Sequence, residues 1–216
     1  LMLAGGNTVV NNPHPKTKVI SARVVRDINQ AVADCGGPPN CVNTVENPDI
    51  PSAQHLMTHP QINLIAVTGG HRVVEFATQT GKRVIAGGPG NPPVVVDETA
   101  DLDNAAQCIV RGASLSNCTP CSSEKEIFVV KTVADQLKDL LKKHGAFELT
   151  AEQGSDLIKE IFKEIRPGRG PSVINMDYIG KPPQVILKRA IGLEIPPDTK
   201  IAILETDKEH PLIWTE

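Results

Sequence analysis

The sequence predicts an α/β protein organised around a parallel, doubly wound sheet. Three observations carry that prediction. Short runs rich in β-branched residues alternate with stretches of helical periodicity over the first hundred residues. One of those runs is apolar at nearly every position, as a strand buried on both faces should be. Glycines close one helical stretch after another, which returns the chain to the sheet each time.

The elements follow in order. NTVVNN (7–12) reads as a short strand, and residues 16–37 as a helix with Val19, Ile20, Val24, Ile28 and Val32 at helical spacing and Gly36-Gly37 as its stop. CVNTVE (41–46) is a strand, and SAQHLMTH (52–59) a short helix with Ser52 as N-cap. INLIAVTGG (62–70) is the doubly buried strand, RVVEFATQTG (72–81) a helix stopped by Gly81, and KRVIAGG (82–88) a further strand. The rhythm changes from residue 94, with a domain transition between about 91 and 105. A strand, a turn and a helix capped near Asp101 lead to the strand KEIFVV (125–130). Two helices follow, one over 132–145 capped by Thr132 and closed by Gly145, the other over 150–165. RPGRGPS (166–172) is a loop, 183–192 a helix, and TKIAILE (199–205) a strand. The apolar pattern already running at Leu1 and the ending on PLIWTE predict a segment of a longer protein.

Composition removes several functional classes. A net charge of −3 argues against a nucleic-acid or polybasic membrane surface, and 3% aromatics leave no stacking platform for bases. No apolar run approaches the roughly 20 residues a membrane helix needs. Five cysteines, an odd number in a chain long enough to bury a core, predict reduced thiols in a cytosol-like compartment.

Two of those cysteines, Cys118 and Cys121, flank Thr119-Pro120 in SLSNCTPCSSEKE. A zinc knuckle needs four ligands, and Cys35, Cys41 and Cys108 form no second close pair, while His55 and His59 read as surface residues; no metal is predicted. A redox dithiol matches the Cys-x-Pro-Cys spelling, but that pair opens a helix near the start of a small domain, and this one follows a helix and precedes a strand. The third reading is a single nucleophile, with Pro120 fixing the turn and the Cys121 amide free to help hold an oxyanion.

LAGGNTVVNNPHP, LIAVTGG, AGGPGNPPVVVDETADLDNAA and NCTPCSSEKEIFVV occur together and in this order. They resemble the aldehyde dehydrogenase superfamily, and within it the CoA-acylating branch of propionaldehyde and acetaldehyde dehydrogenases of propanediol and ethanolamine utilisation. The resemblance runs through the whole chain to ETDKEHPLIWTE. It implies a partial Rossmann-like NAD-binding domain over 1–93 and an incomplete α/β catalytic domain over 94–216. Cys121, the cysteine of PC-x-x-EK, is then the catalytic nucleophile, and Cys118 stands where relatives have asparagine. Asn12, Pro13 and His14 match the edge that receives the adenosine half of the cofactor; hydrolytic relatives have a lysine and a glutamate where this chain has Asn12 and Pro15. Thr68, Gly69 and Gly70 match the strand-to-helix turn near the cofactor, where backbone amides and the helix dipole suit a dinucleotide phosphate. Glu216 stands where the family has a glutamate on the nicotinamide ribose, and the oxyanion asparagine of the family lies upstream of Leu1.

The most informative departure is AGGPGN, which puts Gly87 at the position of the general-base glutamate of hydrolytic relatives. With no carboxylate to activate water, a Cys121 thioester survives until a thiol, CoA, arrives. Glu98, Glu124 and Glu126 read as surface or strand-end residues. The implied activity is NAD-dependent oxidation of a short-chain aldehyde to acyl-CoA by a homo-oligomeric enzyme in the cytoplasm or a bacterial microcompartment lumen, with microcompartment shell or lumen proteins as partners and no nucleic acid or membrane. The alternatives are a redox module in which Cys118 and Cys121 cycle together, and an inactive fragment of the dehydrogenase.

Overall fold

The computed structural model describes residues 2–88, 90–166 and 170–215. It divides into two compact units, Leu1–Gly88 and Pro89–Glu216.

The first unit runs β1 (Val9–Asn11), α1 (Lys18–Asp34), β2 (Val42–Thr44), α2 (Ile50–Thr58), β3 (Leu64–Thr68), α3 (His71–Gln79) and β4 (Arg83–Gly87). β1 pairs with β2 and β3 with β4, both parallel, with a helix in each crossover as parallel pairing requires. Ile65, Val67 and Ala77 form a small core with Met57, Ile62, Val74 and Val84 around it. Asn29 of α1 ties helix to sheet: its side chain accepts from the Val42 amide at 3.1 Å and donates to the Val42 carbonyl at 2.7 Å.

The second unit runs β5 (Pro93–Val96), α4 (Leu102–Ala113), β6 (Glu126–Val129), α5 (Lys131–Lys143), β7 (Ala146–Leu149), α6 (Ala151–Ile161), β8 (Phe162–Glu164), β9 (Val173–Ile174), α7 (Pro183–Ile191) and β10 (Ile201–Leu204). β5 pairs in parallel with β6 and β7 with β10, while β8 and β9 are antiparallel. The main core lies between α4, α5 and the β5–β6 pair, around Val96, Ile109, Val110, Leu137 and Leu141. A second cluster around Leu149, Leu157 and Leu187 joins α6 and α7 to β7. The predicted α/β class and parallel crossovers are therefore present in both units.

Several local expectations are corrected. Residues 62–70 do not make a strand buried on both faces: β3 buries Ile65 and Val67 and exposes Leu64, Ala66 and Thr68, because its helices cover one side. Val19, Ile20 and Val24 keep helical spacing but lie exposed on α1. The N-cap of α2 is Asp49, whose carboxylate accepts from the Ser52 amide, and Ser52 reciprocates from the third helical position. The helix over 131–143 starts after Val130 without a side-chain cap, so Thr132 does not cap it. The helix starting at Ala151 stops at Ile161 rather than 165, and the next three residues pair with Val173–Ile174. The strand β7 was not foreseen. Gly145, with φ of +110°, turns the chain out of α5 directly into it.

Candidate active site

In the first unit the predicted cofactor residues sit at the C-terminal ends of parallel strands, the edge where open α/β sheets bind ligands. Asn12 follows β1 and accepts a hydrogen bond from the Ser52 hydroxyl at 2.9 Å, which fixes it against the first turn of α2. Pro13 is half-buried, and the His14 ring accepts from the Lys16 amide at 3.2 Å, capping a short 3-10 turn over Pro15–Thr17. Thr68 ends β3 opposite Gly87. The Gly69 amide donates to the Gly87 carbonyl at 3.1 Å, and Gly70 is the N-cap of α3. No side chain caps α3, and a Cβ on Gly70 would meet nothing within 4 Å. That leaves open space before the positive end of a helix, which fits an anionic group such as a dinucleotide phosphate. The two loops occupy separate strand ends, and no hydrogen bond joins them among the described residues. Glu216 lies outside the described residues.

In the second unit α4 delivers the chain to the cysteines through an unusual backbone. Ser116, Asn117 and Cys118 are left-handed in succession, with φ of 48°, 54° and 61°. Each such residue costs on the order of 1 kcal/mol or more, so surrounding contacts must hold the run. Asn117 donates to the Gly180 carbonyl at 2.9 Å, and the Thr119 hydroxyl returns to the Ser116 carbonyl at 2.8 Å. A tight turn follows, closed by the Ser123 amide on the Pro120 carbonyl at 3.0 Å. Cys121 rides on this turn with an exposed thiol, and its amide has no acceptor among the described residues.

Cys118 is different in kind. It is half-buried, its thiol lies 3.7 Å from the Glu124 carbonyl, and it faces a cavity of about 360 Å³ lined also by Ile127, Ile186 and Leu187. Burial pushes the Cys118 thiol up, against the opposing pull of Lys125, so it stays protonated at neutral pH. A protonated, enclosed thiol is a poor nucleophile, whereas Cys121 is open to a substrate. All five cysteines are free, and the pair follows α4, with Cys118 in the left-handed run, and leads into β6 instead of opening a helix.

Among the described residues no hydrogen bond joins Glu98, Glu124 or Glu126 to Cys121. A Cβ on Gly112 would lie 2.0 Å from Glu124 Oε2, so the end of the Glu124 side chain packs over the backbone of α4. Burial pushes the Glu126 carboxyl up, and Glu98 is exposed between β5 and α4. Gly87 contributes no side chain to the end of β4. His55 and His59 meet edge to face at 5.6 Å on α2 and its C-cap, and no group of three metal-ligating residues occurs among the described residues. Sequence reasoning missed two supports of the turn, Lys125 and the Asn117–Gly180 bond. The lysine stands in the quoted PC-x-x-EK stretch, but nothing in its spacing reveals where its ammonium goes. A non-glycine run in the left-handed region has no spelling of its own.

Residues 1–156 match the model of the aldehyde dehydrogenase family. The chain is 47% identical over all 216 residues to an acetylating acetaldehyde dehydrogenase, EutE, of Escherichia coli, and covers 46% of it. It superposes on a propionaldehyde dehydrogenase from the Clostridium phytofermentans fucose utilisation bacterial microcompartment with a TM-score of 0.86 and 41% identity, covering 98% of this chain and 47% of that one. A Rhodopseudomonas palustris propionaldehyde dehydrogenase with bound CoA and an acylated cysteine matches with a TM-score of 0.84 and 40% identity, over 98% of this chain and 47% of the other. The chain thus spans about half the length of the relatives it matches. With more than two thirds of its residues under the family model, the chain belongs to the aldehyde dehydrogenase family.

Proposed function

We propose that this chain carries the thiol chemistry of a CoA-acylating aldehyde dehydrogenase acting on a short-chain aldehyde, with Cys121 as nucleophile. The observation that carries the reading is the exposed Cys121 on its turn, in a chain similar to a solved relative that holds CoA and an acylated cysteine. The Cys121 thiolate adds to the aldehyde carbon to give a thiohemiacetal, whose oxygen meets the unbonded Cys121 amide. NAD, when bound, supplies the hydride acceptor. The open helix start at Gly70, with Thr68 and Gly69 before it, would hold its phosphates, and Asn12, Pro13 and His14 would border its adenosine half. Loss of hydride leaves a thioester on Cys121, and the thiol of CoA displaces it to release acyl-CoA and the free cysteine. The origin of one relative in a bacterial microcompartment fits a microcompartment lumen for this chain, and the reading takes the full-length enzyme to be a homo-oligomer. Among the described residues no helix is long and apolar enough to cross a membrane.

The absence of a side chain at Gly87 sets the expected kinetics. Propanal and NAD⁺ without CoA should give a burst of NADH of one equivalent per site, then a slow phase, with an acyl group retained on the peptide containing Cys121. Adding CoA should restore steady turnover and yield propanoyl-CoA. The measurement is stopped-flow absorbance with product analysis, in a polypeptide of the relatives' full length that carries this chain. Rapid steady production of propanoic acid without CoA would sink the reading.

A further inference from the structure

The ammonium of Lys125 has an uncommon destination. Its Nζ donates to the Pro120 carbonyl at 3.0 Å and reaches the Ser123 carbonyl at 3.4 Å, and no carboxylate pairs with it among the described residues. Its own amide is anchored as well, donating to the Pro92 carbonyl at 3.0 Å at the start of the β5–β6 pair. A half-buried cation is therefore spent on two carbonyls of the one turn that carries Cys121.

Peptide planarity gives this clamp a directional consequence. The Pro120 carbonyl and the Cys121 N–H belong to the same trans peptide unit, since the chain contains no cis bond among the described residues, and the two groups point in opposite directions. Turning the Pro120 oxygen inward, onto Lys125 Nζ and the Ser123 amide, turns the Cys121 N–H outward, where it has no acceptor. A neutral turn has the Ser123 amide alone to hold that plane. The ammonium adds a charge-assisted bond, roughly twice as strong as a neutral one.

We propose that Lys125 is a positioning residue: by clamping the Pro120 and Ser123 carbonyls it aims the Cys121 amide at the oxygen of the thiohemiacetal. The inference rests on Cys121 being the nucleophile. An oxyanion donor acts mainly in the transition state, so its misdirection lowers turnover more than substrate affinity.

The test compares Lys125→Met and Lys125→Arg with the parent in the same full-length polypeptide. Lys125→Met should lower kcat by about tenfold or more while KM for aldehyde stays within about threefold, and Lys125→Arg, which still donates to carbonyls, should recover most of kcat. Alkylation of Cys121 by iodoacetamide forms no oxyanion and should stay within about twofold of the parent in both variants. Mapping the acyl-enzyme formed without CoA checks the nucleophile separately: an acyl group on any residue but Cys121 overturns both readings. With the acyl group on Cys121, the role of Lys125 is overturned alone by an unchanged kcat in Lys125→Met, by alkylation falling in step with kcat, or by Lys125→Arg performing no better than methionine.

Discussion

Cys121→Ser is expected to reduce acyl-CoA formation by about a thousandfold or more, and Cys118→Ser to leave most of it. A serine hydroxyl is a weak nucleophile unless a base takes its proton, and no hydrogen bond joins residue 121 to a carboxylate among the described residues. A thiol is intrinsically far more nucleophilic than a hydroxyl, so serine is a poor replacement on this turn. Cys118 loses only a weak contact to the Glu124 carbonyl on substitution, and serine can make the same bond. Steady-state production of acyl-CoA by the two variants decides the matter. Equal loss in both would mean that the two thiols act together, as the Cys-x-Pro-Cys spelling first suggested.

The second large effect lies in the core behind the site. Leu137→Ala should destabilise the protein by roughly 2–5 kcal/mol. Leu137 is 1% exposed and sits in the cluster that joins α5 to α4 and the β5–β6 pair. That cluster sets where α4 ends and β6 begins, and the whole cysteine turn is strung between those two points. Val19→Ala, at a side chain 79% exposed on α1, should change stability by no more than about 0.5 kcal/mol. Urea denaturation followed by circular dichroism gives both numbers. A Leu137→Ala midpoint indistinguishable from that of Val19→Ala would show that the cluster is not the second unit's core.

The parallel crossovers were legible in the sequence because they rest on features that local spelling controls. Glycine stops at Gly36, Gly81 and Gly145 adopt positive φ after their helices, and Asp101 caps α4 through the Asn104 amide at 3.1 Å. What escaped notice depends on residues distant in the chain. Whether Leu64 or Ile65 faces inward is set by which side the helices cover, and nothing in an all-apolar run records that choice. The strand Ala146–Leu149 is only four residues, Ala-Phe-Glu-Leu, between a glycine and a capping threonine, and its partner lies beyond α7. The thiols show the same division. That one cysteine stood apart from the other followed from resemblance, but the physical difference between them, enclosure of Cys118 and exposure of Cys121, came from how the left-handed run turns the chain.

The register of β7 against β10, Ala146 opposite Ile201, bears on how the polypeptide matures at the ribosome. β1 and β2, β3 and β4, and β5 and β6 can each close as soon as a single crossover has emerged, so these pairs can form in the order of synthesis. β7 leaves the exit tunnel with its partner still untranslated. At about 5–20 residues per second it waits several seconds, with an open strand edge beside the apolar side chains of α6. That interval is when a nascent chain is most exposed to wrong pairing with another copy on the same message. Slowing translation between the codons for Leu149 and Ile201 should therefore lower the soluble yield more than an equal pause between those for Val96 and Glu126.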